Sequence, residues 1–172
     1  MLTQAELKSL LDYDAESGIF RWKVQRRPQS PPGTRAGWHS GKKAQRIELG
    51  GKNYLAHRLA WFYVHGVWPD QIDHINGDRS DNRIANLRAA NNSQNQANMK
   101  AKGNNSTGYR GVSVQKRGYI VQLYKTEDGE KRKIVKWFKN LENAKLFAYE
   151  QSKHLHGEFS IFNRPIVNPH AG

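Results

Sequence analysis

Residues 72–98 constrain the fold of this chain more than any other stretch. A carboxylate and an imidazole stand side by side there as Asp73 and His74, between two isoleucines, and Asn-Gly-Asp follows directly. This arrangement predicts a short strand that runs into a tight turn. From about Asn92 onward, Gln, Ala, Met and Lys predominate behind an Asn or Ser that can act as an N-cap, which predicts a helix. A strand, a loop, a second short strand and a helix can bring these polar groups into one pocket.

The polar residues of this stretch have a definite order and spacing. Asn86 follows His74 by twelve positions, and Asn95 follows Asn86 by nine. With the intervening Asn-Leu-Arg and Ser-x-Asn, the pattern resembles the HNH nuclease motif in the form found in phage and intron-encoded homing endonucleases. The resemblance implies a ββα-metal module with catalytic roles for His74, as the general base, and for Asn86, which ties the loop to the helix. It also implies that Asp73 and Asn95 are the metal ligands.

The chemistry of these groups suits phosphodiester hydrolysis. A neutral imidazole can accept a proton from water near pH 7 without a large pKa shift. Carboxylate and amide oxygens are hard ligands, which favour Mg²⁺ or Mn²⁺ over Zn²⁺. We therefore expect one such ion per active site. Because neighbouring side chains of a strand point to opposite faces, Asp73 and His74 can meet one phosphate only where the loop wraps around.

Two further groups near the motif have alternative interpretations. Asp78 and Asp81 either support the Asn-Gly-Asp turn or supply a second metal ion, and we favour the turn. His57 belongs to a His-Arg-Leu element similar to one that precedes this motif in the family, and it is either a packing residue or a ligand. A turn or cap role is the default for any one residue of the motif, whereas the whole set at this spacing favours a nuclease.

The composition indicates a polyanionic partner. The 172 residues include 28 Lys and Arg against 15 Asp and Glu, which gives a net charge of +13, and both halves of the chain carry a basic excess. Such an excess favours DNA or RNA, and the motif implies double-stranded DNA.

No apolar run reaches the ~18–20 residues that a membrane span needs, and no apolar core of a signal peptide begins the chain. Without Cys, disulfides are excluded. We expect a monomer in the cytoplasm of a bacterial or phage-infected cell.

The first hundred residues predict helices and a small antiparallel sheet. A capping box predicts a helix over residues 3–12, and alternating apolar and basic residues predict a strand over 19–24. A Pro-, Gly- and Arg-rich basic loop follows over 25–44, then a hairpin around Gly-Gly that we expect to join the first strand in one sheet. An apolar helix is predicted over 56–65. The basic side chains that this sheet and loop would present to DNA are Arg21, Lys23, Lys42, Lys43 and Arg46.

The second half predicts three strands and one helix. The strands are expected over residues 109–114, 119–125 and 132–138, and an amphipathic helix over 141–156. Such a sheet would be covered by the helix on one face and would leave the other face open to a groove of DNA. Strand alternation makes Lys116, Arg117, Gln122 and Tyr124 candidates for contact with DNA, although each is equally consistent with an ordinary surface position.

A second resemblance concerns residues 105–163. Tyr-Arg-Gly-Val from Tyr109, the pair Trp137-Phe138 and the closing Leu-His-Gly-Glu-Phe are similar to the plant ethylene-response-factor (Apetala-type) DNA-binding domain. That domain also occurs at the C-terminus of phage HNH endonucleases. The resemblance implies a three-stranded sheet in the major groove with Arg110 among its DNA contacts. Ser113 and Gln115 stand where plant members often carry Arg, so plant-like base specificity does not transfer.

Together these features predict an α+β protein in two domains. Residues 1–101 would form a DNA-binding sheet and a ββα-metal HNH module (core about 56–101), 102–107 a linker, 108–163 the sheet-and-helix domain, and 164–172 a tail. The predicted function is a metal-dependent DNA endonuclease of the homing type that nicks or cleaves at a directed site. The alternatives are a sequence-specific DNA-binding regulator without nuclease activity and an RNA-binding protein.

Overall fold

The protein is described from a computed structural model, which covers residues 2–38, 44–99, 105–127 and 130–160. The chain divides into two compact units, Met1–Asn91 and Asn92–Gly172. Both contain helices and small antiparallel sheets, which confirms the α+β class. The predicted linker and tail lie largely outside the described residues, and the predicted domain limits remain predictions. Within the described ranges, no helix combines the length and the apolarity that a membrane crossing requires.

The first unit begins with a short capped helix and a strand. Helix α1 (Gln4–Leu10) starts at the predicted capping box, in which the Thr3 hydroxyl accepts from the Glu6 amide and the Glu6 carboxylate accepts from the Thr3 amide. The helix is shorter than predicted because strand β1 (Leu11–Asp14) follows at once, with alternate side chains buried. An extended chain from Leu11 buries two side chains against the core, which a further helical turn would not do.

Strand β1 also changes the predicted sheet. It pairs antiparallel with β2 (Ile19–Trp22), whereas β3 (Arg46–Leu49) and β4 (Lys52–Leu55) form a separate two-stranded hairpin. The prediction that residues 19–24 and the hairpin share one sheet is therefore wrong. The second edge of β2 is occupied by residues 33–36 of the predicted loop, since the Trp22 amide donates to the Thr34 carbonyl and the Ala36 amide to the Phe20 carbonyl.

The remaining elements of the first unit frame the HNH-like stretch. Helix α2 (Ala56–His65) ends at Gly66, which has a φ of 73°. Strands β5 (Gln71–His74) and β6 (Leu87–Ala90) pair antiparallel, and a 3₁₀ turn (Ile84–Asn86) leads into β6. The core of this unit joins α1, α2 and all six strands. Its fully buried side chains include Leu7, Leu11, Phe20, Ile47 and Leu59.

The second unit starts with helix α3 (Asn92–Ala97) and continues into three strands and a helix. Strands β7 (Val112–Gln115), β8 (Gly118–Glu127) and β9 (Glu130–Phe138) form one antiparallel sheet in that order, and α4 (Leu141–His156) packs on it. The prediction of three strands and one helix is confirmed. Strand β7 begins later than predicted because Gly111 has a φ of 79° and ends the preceding turn. The core residues are Val112, Val121, Leu123, Ala144 and Ala148.

Gly18, in the β1–β2 turn, tests how tightly that turn packs on the loop between β5 and β6. It has a φ of 71°, and an added Cβ would lie 2.4 Å from the Arg83 amide nitrogen and 2.5 Å from the Asn82 carbonyl carbon. Because both are backbone atoms, Gly18→Ala should lower the free energy of unfolding by about 3 kcal/mol or more in denaturant titrations.

Gly51→Ala is the matched control for that substitution. Gly51 has a φ of 75°, but nothing lies within 4 Å of its added Cβ. The free energy of unfolding of Gly51→Ala should therefore fall only by the cost of the left-handed conformation, about 1–2 kcal/mol. Equal losses in the two variants would show that the turn does not pack on the loop as described.

Candidate active site

The β5–β6 hairpin positions the adjacent acid and imidazole. Its register places Asp73 opposite Arg88 and His74 opposite Leu87. As strand alternation requires, the two side chains leave the hairpin on opposite faces. Asp73 and His74 are only 6% and 7% exposed. A carboxylate and an imidazole are thus held rigidly and largely away from water.

Asp73 forms a short ion pair with Arg88. Both the Nε and the Nη2 of Arg88 donate to the Asp73 Oδ2 atom, at 2.8 and 2.6 Å. The two side chains are 7% and 14% exposed, so removal of either partner would leave a poorly solvated charge. A divalent ion that binds the Oδ2 atom of Asp73 would have to share this oxygen with the guanidinium or displace the guanidinium. Sequence reasoning missed Arg88, although the antiparallel register of the predicted hairpin is the signal that could have found it.

His74 lies between a second imidazole and a buried amide. Its ring meets the His57 ring edge-to-face, with centroids 5.0 Å apart and an interplanar angle of 77°. Its Nε2 atom is 3.4 Å from the Asn82 Oδ1 atom. Burial lowers the pKa of His74, and the Asn82 hydrogen bond and the Asp73 carboxylate act against that shift. The imidazole is therefore neutral at pH 7, which is the form that can accept a proton.

His57, the residue with two interpretations, packs directly against His74. Burial, together with the charges of His74, Arg58 and Arg79, lowers the pKa of His57 to about 3. Its Nδ1 atom is buried and has no hydrogen-bond partner among the residues that the structure describes. An unpaired buried nitrogen costs about 1–3 kcal/mol. His57 is thus a neutral ring that packs in the site at a cost in stability.

Asn86 closes the loop between β5 and β6. Its Oδ1 atom accepts from the Asn76 amide at 3.0 Å, and its Nδ2 donates to the Asp81 carbonyl at 2.9 Å. The Asn86 carbonyl also accepts from the Ile75 amide. One side chain therefore joins the start of the loop to its far end and fixes the position of His74 at the end of β5.

Asp78 and Asp81 lie within this loop and support its turns. Asp78 accepts from the amide and hydroxyl of Ser80, while Asp81 accepts from the Arg83 guanidinium and the Asn76 amide group. These hydrogen bonds lower the pKa of both carboxyls. In the described part of the chain, no group of three His, Cys, Asp or Glu residues is placed to hold a metal ion. A metal site here would need an amide ligand beside Asp73.

Asn95, the predicted amide ligand, lies in α3 of the second compact unit. That Asn95 and Asp73 bind the same metal ion remains a prediction. The donor chemistry fits a hard divalent ion, because a carboxylate oxygen and an amide oxygen are ligands that Mg²⁺ and Mn²⁺ accept.

The DNA-binding candidates of the first unit that the structure describes are on its surface. Arg21 and Lys23 alternate with buried Phe20 and Trp22, as the pattern predicts, and Arg46 is exposed at the start of β3. The Arg21 guanidinium donates to the Gly33 carbonyl and the Lys23 ammonium to the Lys8 carbonyl. Lys42 and Lys43 lie outside the described residues.

In the second unit, the candidates divide between a turn and a cavity. Lys116 and Arg117 are exposed in the β7–β8 turn. Arg110, Gln122 and Tyr124 line one cavity of about 790 Å³ that is bounded by α3 and the sheet. The Arg110 guanidinium donates to the Gln96 and Met99 carbonyls at the end of α3. Its predicted contact with DNA remains a prediction, and such a contact would compete with these two carbonyls.

The comparison with protein families identifies the central segment. Residues 54–97 match the model of the HNH endonuclease family, so the chain contains an HNH endonuclease domain there. The match spans the β5–β6 hairpin and α3, and it indicates a nuclease that acts on DNA. The chain is also similar to Protein 3.8 of Escherichia phage T7, with 29% identity over 108 residues, which is 62% of this chain and 88% of the phage protein. No solved structure matches the chain.

Asn86→Ala tests the closure of the loop. It removes a donor and an acceptor that both serve buried or half-buried backbone groups, so we expect the free energy of unfolding to fall by about 2–3 kcal/mol. Hydrogen exchange at the Asn76 amide should also accelerate. Asn53→Ala, an exposed amide in β4, is the control and should change stability by less than about 0.5 kcal/mol. A variant as stable as the control would contradict the closing role of Asn86.

The pKa of His57 predicts a pH dependence of stability. Its folded pKa of about 3 lies below the unfolded value near 6.5, so the unfolded chain binds more protons between these values. The contribution of neutral His57 to the free energy of unfolding is fully present above pH 6.5. It is lost as the pH falls, at up to about 1.4 kcal/mol per pH unit. When the pH is lowered from 7 to 5, the free energy of unfolding of His57→Phe should fall by about 2 kcal/mol less than that of the parent protein, as measured in denaturant titrations.

His65→Phe is the control for this titration because His65 is exposed at the end of the same helix. At pH 7, replacement of this exposed imidazole by a phenyl ring should change the free energy of unfolding by less than about 0.5 kcal/mol. A pH profile of His57→Phe that runs parallel to that of the parent protein would show that His57 is not held neutral by burial.

Proposed function

We propose that this protein is a metal-dependent DNA endonuclease that hydrolyses phosphodiester bonds. The observation that carries the proposal is a buried neutral imidazole, His74, that follows a buried carboxylate, Asp73, along one strand of a hairpin whose loop is closed by Asn86. This arrangement lies within the segment that matches the HNH endonuclease family. The two side chains supply a proton acceptor and a ligand for a cation from consecutive positions of β5.

Asp73 and Asn95 would hold one divalent ion, either Mg²⁺ or Mn²⁺. When bound, the ion would neutralise negative charge on the scissile phosphate and on the leaving oxygen. Asp73 is pre-oriented for such a role by Arg88, which holds its Oδ2 atom. A carboxylate fixed in this way loses little side-chain entropy when it takes up a ligand.

His74 would accept the proton of the attacking water. Its neutral state follows from burial, and its position follows from the closed loop and from the rings and amides around it. General-base catalysis of this type contributes about 10²- to 10⁴-fold to a rate. Asn86 acts at a distance from the phosphate, because its hydrogen bonds keep the loop, and therefore His74, in place.

The C-terminal unit would supply a second contact with double-stranded DNA. A three-stranded sheet on one helix is compatible with the ethylene-response-factor-like domain, which we propose for about residues 105–163. One strand of the sheet exposes Tyr124, and the neighbouring strand exposes Val135 and Trp137. Aromatic and basic side chains on an open sheet face can contact a groove, and the turn with Lys116 and Arg117 can reach phosphates.

The enzyme would act as a monomer with one active site, so that each encounter nicks one strand. We further propose a homing-type enzyme that works in the cytoplasm of a phage-infected or bacterial cell, in keeping with its similarity to a phage protein. The net charge of +13 would make DNA affinity fall steeply with added salt.

A DNA-binding regulator without nuclease activity is the second candidate, and the Asp73–Arg88 ion pair favours it. Arg88 already places positive charge against the carboxylate that a metal ion would bind. If the ion pair persists on DNA, the hairpin grips phosphate but does not cleave it. The two functions differ in one outcome, which is whether DNA is cut when Mg²⁺ or Mn²⁺ is added.

Nicking of supercoiled plasmid tests the proposal. With Mg²⁺ or Mn²⁺ the protein should convert plasmid to the open circle, and a chelator should abolish the reaction. His74→Ala should lower the rate at least about 100-fold because the proton acceptor is lost. DNA affinity, measured by fluorescence anisotropy, should stay within about twofold, since surface cations supply most of it. His65→Ala, an exposed histidine, serves as the control and should cut at the parent rate.

The metal ligands are tested in the same assay. Asp73→Ala and Asn95→Ala should reduce metal-supported cleavage far more than DNA affinity. Equal losses of both would count against their assigned roles. If the protein binds DNA but does not cleave it with any divalent metal ion, the nuclease proposal is refuted and the regulator is supported.

A further inference from the structure

Three side chains form a buried line of hydrogen bonds that begins at a backbone carbonyl. The Gln45 Nε2 donates to the Ala36 carbonyl at 2.9 Å. The Asn82 Nδ2 lies 3.4 Å from the Gln45 Oε1, and the Asn82 Oδ1 lies 3.4 Å from the His74 Nε2. Gln45 and Asn82 are each only 2% exposed, so this line connects the backbone to the imidazole through the interior of the first unit.

The direction of the line follows from its first member. A carbonyl oxygen only accepts, so the amide end of Gln45 that faces Ala36 must be its NH₂ group. The Gln45 oxygen then faces Asn82 and accepts from the Asn82 NH₂ group. The Asn82 oxygen is left facing His74, and an oxygen of an amide only accepts. The opposite orientation would oppose two donors or two acceptors between groups that are almost fully buried, at about 1–3 kcal/mol for each unmade bond.

We propose that Asn82 and Gln45 are positioning residues that hold His74 in the tautomer with its proton on Nε2. A neutral imidazole carries one proton, so the lone pair is then on Nδ1. For the tautomer itself, the inference is independent of the nuclease activity. The assignment of Nδ1 as the catalytic base rests on the proposed function.

In that reaction the proton transfer balances simply. One O–H bond of water breaks, and its proton joins the lone pair of Nδ1. The water oxygen bonds to phosphorus while the bond from phosphorus to the leaving oxygen breaks, and the leaving oxygen takes a proton from solvent. The imidazolium that forms keeps its Nε2–H directed at the Asn82 oxygen, which stabilises the positive ring.

The surroundings hold each member of the line in place. The Tyr13 hydroxyl donates to the Asn82 carbonyl at 2.7 Å, and Gly18 packs against the backbone of Asn82. The Gln45 carbonyl accepts from the Ala56 amide at the start of α2. On the other side of the imidazole, the His57 ring limits rotation of His74. Loops on both sides therefore fix the two amides, and the amides fix the imidazole.

The sequence offered little indication of this role. Gln45 is an isolated polar residue at the end of a basic loop, and Asn82 is one of several Asn residues within the motif. Only their joint burial against His74 connects them.

The test is the tautomer of His74, read by two-bond ¹H–¹⁵N correlation in the full chain labelled with ¹⁵N-histidine. The seven histidines are distinguished by assigning His74 from the signals that His74→Gln removes. At pH 7.5, without metal or DNA, we expect a protonated Nε2 and an unprotonated Nδ1 in a single tautomer. Protonation of Nδ1 instead would overturn the inference, whatever the activity.

Three variants sharpen the result. Asn82→Ala should move both nitrogen shifts toward the average of two tautomers, and Gln45→Met should move them in the same direction because the Asn82 amide can then turn over. Asn53→Ala, an exposed amide, should leave them unchanged. Unchanged shifts in both Asn82→Ala and Gln45→Met would refute the positioning role. If Asn82→Ala does not fold, the parent protein and Gln45→Met still decide the question.

Kinetics separates this inference from the proposed function. In plasmid nicking, Asn82→Ala should lower kcat about tenfold or more and leave KM within about twofold, because the substrate contacts are unchanged and only the base is misoriented. If the parent tautomer is as expected but no metal supports cleavage, the positioning role stands and the nuclease proposal fails. A loss confined to KM would contradict the positioning role.

Discussion

The antiparallel pairing of β5 with β6 is the constraint on which the candidate active site depends. The register sets Asp73 opposite Arg88, and strand alternation sends His74 to the other face, toward α2. A slip of one residue would exchange the two faces and place the imidazole where the ion pair lies. Asn86 protects the register from one end because its side chain joins both ends of the connecting loop.

The site is a polar network in the interior of a small unit, which is a costly arrangement that the rest of the unit offsets. Asp73, His74, Asn82, Asn86 and Gln45 are all buried. Each is engaged by an ion pair or a hydrogen bond, so the desolvation of these groups is largely compensated. The aliphatic and aromatic core of α1, α2 and the hairpins supplies the remaining stability. Such a network gives one well-defined geometry, which suits catalysis more than it suits stability.

Local patterns predicted the elements well, and long-range pairing explains the differences. The capping box at Thr3, the Gly-Gly hairpin and the amphipathic spacing of α4 each act over a few residues. For that reason α1 begins where it was predicted, and the β3–β4 hairpin and α4 appear as predicted. The pairing of β2 with β1 was not predicted, because the local sequence of β1 is typical of the end of a helix. The roles of Gln45 and Arg88 were not predicted either, because local patterns do not show contacts between distant residues. Gln45 contacts Asn82 across 37 residues of the chain, and Arg88 contacts Asp73 across 15.

The central claim is that the centre formed by Asp73 and His74 holds a divalent ion against a DNA phosphate. A crystal structure of the protein with duplex DNA and Mn²⁺, with the ion located by its anomalous scattering, tests it most directly. The account predicts one Mn²⁺ bound by Asp73 and Asn95 against a phosphate, with the His74 Nδ1 facing that phosphate. Duplex bound with no ion at Asp73, and with the Arg88 ion pair intact, would contradict it.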